Sequence, residues 1–251
     1  MTEDRPMRID ATNLHYRDLN RRIREAVAAG ETSFELVNIN GQRYIADGLK
    51  GHLQFLIDGV PGNDLAAFMD GPTIHVRGNA QDGVGNTMNA GRIIIEGHAG
   101  DVLGYGMRGG EIFIRGRVGY RVGIHMKAYQ NTRPVLIAGG TAGDFLGEYM
   151  AGGILVVLGL DRRPGEPLVG DWCATGIHGG DIYLRGDVDP SHIASQFAAV
   201  RPADEAHLQQ LRPHLEAFAQ AFSLNPDQLL DHDFLHIAAV SHRPYGAKYA
   251  A

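Results

Sequence analysis

The chain has a single cysteine, Cys173, among its 251 residues. That excludes an internal disulfide framework and any cluster of cysteine ligands supplied by this chain alone. No serine occurs between Ser33 and Ser191, so a Ser-His-Asp site cannot be assembled across that stretch, although Thr and Asp nucleophiles stay open. No apolar run approaches the length of a membrane span. The opening MTEDRPMRID lacks the charged-then-apolar plan of a signal peptide, so the expected location is cytoplasmic, with no membrane partner. No basic run offsets the formal net charge of −6, and nucleic acid is not an expected partner. Glycine is what the chain has in excess: 34 residues, about twice the usual share.

The glycines keep a count. Met69, Met88, Met107 and Met126 stand 19 residues apart, and Met150 follows after a five-residue insertion near YQNTR. Ten residues before each Met is a glycine: Gly59, Gly78, Gly97, Gly116 and Gly140. Three before is a small residue: Ala66, Gly85, Gly104, Gly123 and Gly147. Four before is an aliphatic: Leu65, Val84, Leu103, Val122 and Leu146. A further unit follows the insertion DRRPGEPL, with Ile177 in the Met place and Ala174 in the small place.

Between these turns lie short β-branched-rich segments such as TIHVR, RIIIE, EIFIR and ILVVL, bounded by glycine. One strand per 19 residues, with no helical segment between, predicts a mainly β fold: a right-handed parallel β-helix of six to seven coils. Coils stack at about 4.8 Å, so equivalent residues form ladders along a column roughly 30 Å tall. Glycine marks corners, where φ is positive or backbone approaches backbone, and flexible methionine fills the interior. Residues four and two before each strand's closing glycine, such as Ile93 and Ile95, read as inward. The intervening position shares the outer face yet is largely apolar: Leu56, His75, Ile94, Phe113, Ile137, Val156 and Tyr183. Such a stripe is seldom left wet, so a cover is expected, from the chain's own helices in preference to a partner.

The column divides the chain into an N-terminal cap (1–47), the coils (48–189) and a C-terminal helical cap and tail (190–251). Leu19, Ile23 and Val27 give 16–30 a helical spacing, and SFELVNINGQRYIA reads as a hairpin turning at Asn40-Gly41. Residues 202–224 read as a helix kinked or restarted at Pro213. NPDQLLDHDF offers a second, short helix, and SHRPYGAKYAA is a tail. Open column ends need such caps because unpaired edges invite aggregation.

Several side chains are candidates for chemistry. Six before each Met place runs Asn63, Asp82, Asp101, Tyr120, Asp144 and Asp171. Stacked carboxylates such as Asp82 and Asp101 have the donors for Ca²⁺ or for acid–base work. Their recurrence favours a structural role, each capping its own corner through an amide two residues on, since a catalytic site occurs once. Cys173 falls in the interior aliphatic column and reads as an inert buried thiol. GNAQDGVGN is glycine-rich, but a strand follows it rather than the helix a phosphate cradle needs. His98, His125 and His178 occupy unrelated places in their coils and do not suggest a metal site. No catalytic, cofactor-binding or metal residue is therefore assigned.

The spacing G-x-x-G-x-x-x-G-x-x-M, seen from Gly97 through Gly100 and Gly104 to Met107 and again from Gly116 and Gly140, resembles the GXGXG repeat at the C-terminal end of the glutamate synthase large subunit. The same repeat occurs in one of the subunits of formylmethanofuran dehydrogenases and in N-methylglutamate synthase-type enzymes. The resemblance spans roughly residues 35–190 and is most like stand-alone glutamate synthase alpha-subunit domain proteins. It implies a β-helix that holds catalytic domains in register without supplying catalytic residues. Glutamate synthase releases ammonia with an N-terminal cysteine and uses FMN and an iron–sulfur cluster. A chain beginning Met1-Thr2-Glu3 with one cysteine is expected to leave that chemistry to others. The partners so implied are a glutaminase-type amidotransferase subunit and an FMN-binding synthase subunit, which carry the FMN and the cluster. Two alternatives stand beside this one. The first is the same scaffold in a formyltransferase/hydrolase or formylmethanofuran dehydrogenase-type complex. The second is an independent polysaccharide-lyase-like enzyme using the Asp ladder with Arg77 or Arg115.

Overall fold

A computed structural model describes residues 5–242. The chain start and nearly all of the expected tail lie outside the described residues. In order, the elements are β1 (Met7–Asp10), α1 (Tyr16–Ala28), β2 (Ser33–Asn40), β3 (Gln54–Val60), β4 (Asp70–Val76), β5 (Ala90–Ile95), β6 (Glu111–Ile114), β7 (Val135–Ala138), β8 (Ala151–Val157) and β9 (Gly179–Arg185). A 3₁₀ turn, β10 (Ala198–Pro202), α2 (Glu205–Ala221), α3 (Pro226–Leu230) and β11 (Phe234–Ala239) complete the chain.

All eleven strands join one sheet in the order β1 to β9, then β11, then β10. Pairing is parallel from β1 through β9 and antiparallel for β9–β11 and β10–β11. From β2 to β9, successive parallel strands with no helix between them make a parallel β-helix, as the repeat predicts. The register holds to one residue: Ile74 faces Ile93, Ile112, Leu136, Leu155 and Ile182 in turn. The extra residues of the two insertions are looped out and leave it undisturbed. In the first, Tyr129 and Thr132 bond each other's backbone in a small closed loop.

The interior is solid. The inward strand residues join Met69, Met88, Met107, Met126 and Met150, all without exposed surface, in one continuous core. At the N-terminal end α1 turns Leu19, Ile23 and Ala26 into that core, which also holds the rings of Phe34 and Phe55, stacked 4.8 Å apart. At the other end Ile193, Ala198 and Ile237 close it.

Two local expectations need correction. Residues 33–46 do not form a hairpin. Ser33–Asn40 is one strand paired in parallel on both sides, and the chain passes Asn40-Gly41 into the first turn of the column. The Asn-Gly pair signals a reversal, but the apolar residues of β2 bury more surface as a coil of the column than a two-stranded ribbon would. Helix α2 runs as one element through Pro213, so the chain does not restart there. β1, β10 and β11 carry no signal used in the sequence reading, although Phe234-Leu-His-Ile alternates as a strand should.

The apolar outer stripe is covered by the chain itself. Leu211, Leu215, Phe218 and Ala219, at helical spacing on α2, pack with Leu229 of α3 on Phe113, Ile137, Val156 and Tyr183. Phe113 meets Phe218 edge-to-face at 5.8 Å. Cover thins toward the N-terminal end, where Ile94 is partly buried and His75 instead bonds Glu96 at 2.7 Å. Phe218→Ala should cost about 3–5 kcal/mol. Its melting temperature should fall, and a fluorescent dye that binds apolar surface should gain signal. Unchanged melting would mean that α2 does not hold the stripe.

Candidate functional site

Each circuit of the column passes through one unusual turn. Three residues per turn adopt left-handed backbone, at five, three and one positions before the Met place. Seven such triads run from Tyr44-Ala46-Gly48, with Leu49 in the Met place, to Trp172-Ala174-Gly176. Within a turn, as at Asp64–Met69, the amides of Ala67 and Met69 bond the carbonyls of Asp64 and Ala66. The left-handed residues direct their amides out of the turn. Gly83 N–H and Thr87 N–H donate to the carbonyls of Asp101 and Tyr105 in the next coil, and Gly85 N–H donates to Leu65 in the coil before. The turns are thus laced together as tightly as the strands.

The small place in the middle of the triad faces inward. Ala46, Ala66 and Ala174 have no exposed surface to speak of, and alanine tolerates the same positive φ. Size, then, is what selects glycine elsewhere in the column: a Cβ on Gly147 would lie 2.5 Å from Ile182 Cδ1. The corner glycines answer to close approach. Gly97 and Gly116 lie outside the left-handed region, yet a Cβ on either would stand 2.8 Å from the carbonyl oxygen of the glycine one coil below.

The Asp ladder makes the same inter-coil connection with side chains. Asp82 Oδ1 accepts from Asp101 N–H at 2.9 Å, Asp101 Oδ1 from Tyr120 N–H at 2.8 Å, and Asp144 Oδ1 from Asp171 N–H at 2.9 Å. The expected bond to an amide two residues on is therefore replaced by one to the amide one coil on. Stacking brings that amide closer than the local turn does. A second column has the same plan: Asn79 Oδ1 accepts from His98 N–H and His98 Nδ1 from Arg117 N–H. Glycine makes room, since a Cβ on Gly100, Gly119 or Gly170 would overlap Oδ1 of Asp82, Asp101 or Asp144. Asp and Gly are thus two halves of one connector. Among the described residues no group of three or more His, Cys, Asp or Glu side chains is placed to hold a metal ion.

Cys173 is buried, and burial pushes its thiol up to about 12, far from the thiolate a nucleophile needs. Arg77 pairs with Asp58 and Arg115 with Asp161. One buried polar cluster escaped the sequence reading. Under α2, His236 Nε2 donates to Asp181 Oδ1 at 2.6 Å, and Arg133 pairs with the other oxygen. Burial works to raise Asp181, yet the bond from His236 and the Arg133 guanidinium hold its carboxyl below the usual range. Tyr183 stacks on His236 at 5.1 Å, and His207 of α2 lies 4.0 Å from it. Its members come from β9, β11, α2 and an insertion, and no spacing in the sequence links them.

The sequence reading also missed the outer surface of the turns. Tyr44, Phe68, Tyr105, Tyr120 and Trp172 are large and exposed, and all belong to this one stack of turns. His125 links Tyr105 to Tyr149: its ring lies edge-on to Tyr105 at 5.8 Å and face-on to Tyr149 at 5.4 Å. The five exposed aromatic residues stand at four different places of the turn, at five, one, two and six residues before the Met place, so the 19-residue count does not mark them.

A glycine-cornered parallel β-helix with a laced turn edge defines the class. The GXGXG motif family model matches residues 21–239, and the chain belongs to that family. It is 49% identical over 249 residues to an uncharacterized protein of Methanocaldococcus jannaschii, covering 96% of this chain and 95% of that one. It is 29% identical over 185 residues to Ferredoxin-dependent glutamate synthase 2 of a Synechocystis species, which covers 70% of this chain but 12% of the synthase. No helix among the described residues is long and apolar enough to cross a membrane.

Asp101→Ala should strand the Tyr120 amide and destabilise the column by about 1–3 kcal/mol. Asp101→Asn, which keeps the acceptor, should recover most of that loss in denaturant melts. Equal losses for the two would assign the effect to charge rather than to the inter-coil bond.

Proposed function

We propose that this chain is a non-catalytic scaffold subunit of a multi-subunit glutamate-synthase-like amidotransferase/oxidoreductase, binding a glutaminase-type amidotransferase subunit and an FMN-binding synthase subunit. One observation carries the reading: most of this chain corresponds to a 12% segment of a glutamate synthase polypeptide. A segment of that size in a large enzyme is one module among several, and a separate chain of the same family can serve the same assembly as a subunit. The physical character of the column is consistent with this. Its interior is filled with side chains, its repeated Asp and Gly residues are committed to joining coils, and such a column keeps bound domains at fixed spacing. Flavin and iron–sulfur cluster would reside in the partners, which would carry the redox steps.

Affinity purification of the tagged chain from its native source tests the reading. Polypeptides bearing flavin fluorescence and iron–sulfur absorbance should co-elute in fixed proportion. A chain that elutes alone, or with partners lacking both signatures, would contradict it.

A further inference from the structure

The turn edge carries its bulkiest side chains where the backbone accepts them least. Tyr44, Phe68 and Trp172 all have left-handed backbone, with φ of 60°, 58° and 63°, a conformation that disfavours every residue with a Cβ. Some coils meet the same demand with glycine, Gly83 at the place of Tyr44 and Trp172 and Gly48, Gly106 and Gly176 at the place of Phe68, while others hold non-glycine residues there, such as Val102 and Thr87. These aromatic residues do not recover the cost by burial, since Phe68 is 54% and Trp172 56% exposed. Neither turn geometry nor the core explains them. Tyr105 and Tyr120, also exposed, extend the same face. From Tyr44 to Trp172 the edge crosses six coil spacings, about 29 Å at 4.8 Å each, which suits a protein interface better than a small ligand.

The chemistry of the edge indicates what it meets. The same turns carry carboxylates: Asp64, and the file Asp82, Asp101, Asp144 and Asp171. Each is held through one oxygen: Oδ1 of Asp82, Asp101 and Asp144 accepts from an amide of the next coil, Oδ1 of Asp64 accepts from the Asn86 amide side chain, and Oδ1 of Asp171 bonds His192. The arginines of this edge are already engaged. Arg121 lies 4.4 Å from the Phe145 ring and pairs with Glu148, and Arg43 lies 4.9 Å from the Tyr16 ring. Rings and carboxylates carried by one set of turns complement planar guanidinium groups, which stack on one and pair with the other. Tyr, Trp and Arg are also the residues that concentrate in interface cores. We infer that the left-handed turn edge is the surface on which a partner protein docks through arginine side chains. Within the scaffold reading, on which the partner's identity rests, that partner is the flavin-bearing subunit.

The test compares the full-length tagged chain with Phe68→Gly/Trp172→Gly and with Val240→Ser, an exposed position off the edge. The glycine variant should melt no lower than the parent, because glycine already fills both places in other coils, while retaining at least tenfold less flavin-bearing polypeptide. Val240→Ser should retain it fully. Undiminished retention by the glycine variant, equal loss with Val240→Ser, or a parent that dimerises through this edge would overturn the inference. Trp172 is the sole tryptophan, so its emission gives a second arm that needs no native partner. Hexa-arginine should quench it at a concentration at least tenfold below that of hexalysine, and an equal or absent response would overturn the arginine assignment. If the parent captures no flavin carrier, the scaffold reading falls and the tryptophan arm still decides the surface.

Discussion

The fold depends on one arrangement: a turn whose alternate residues are left-handed, so that its amides point in turn to the coil above and the coil below. In an ordinary loop these groups would face water, and the circuits would be joined along their strands alone. Here Gly83, Gly85 and Thr87 each donate to a neighbouring coil, and the column is bonded on the turn side as well as the strand side. Left-handed backbone costs a non-glycine residue roughly 1–2 kcal/mol, and a backbone hydrogen bond returns a net 0.5–1.5 kcal/mol, to order of magnitude. A single turn therefore about breaks even. What tips the balance is the burial that each turn secures, as with Leu65, Ala66 and Met69, all fully buried. Stacking, rather than local propensity, makes the turn stable.

The same constraint explains the composition. A column with coils about 4.8 Å apart leaves no room for a Cβ where backbone meets backbone, which fixes Gly97 and Gly116. The Asp82-to-Asp101 bond needs a gap beside it, and Gly100 supplies that gap. Glycine excess, aspartate recurrence and a nineteen-residue count are then consequences of one geometry.

That is also why the coils were legible in the sequence. Each coil repeats the same steric demand, so its residues recur at fixed spacing, and Met69 through Met150 could be set in register without coordinates. The ends were legible only in part. The helical spacing of Leu19 and Ile23 located α1, but β1 and β10 are four and five residues long and take their conformation from the neighbours they pair with. Asn40-Gly41 has the local preference of a hairpin turn, and pairing of β2 on both sides overrides it. The Asp ladder is legible as a repeat, but a one-dimensional reading favours a local bond two residues on over the amide one coil on that Asp82 and Asp101 actually engage. Within the cluster around Asp181, residues up to 55 positions apart meet, and no periodicity announces that. Function is less legible still, because the residues that repeat report how coils join and not what the protein binds.

Amide hydrogen exchange resolved by residue in the native protein tests the turn arrangement most directly. The account predicts that Gly85, Thr87, Gly104 and Gly106 amides are protected to the same degree as those of Ile93 and Ile95 and open with them in a single cooperative unit. Turn amides that exchange at loop rates while the strands stay protected would contradict it.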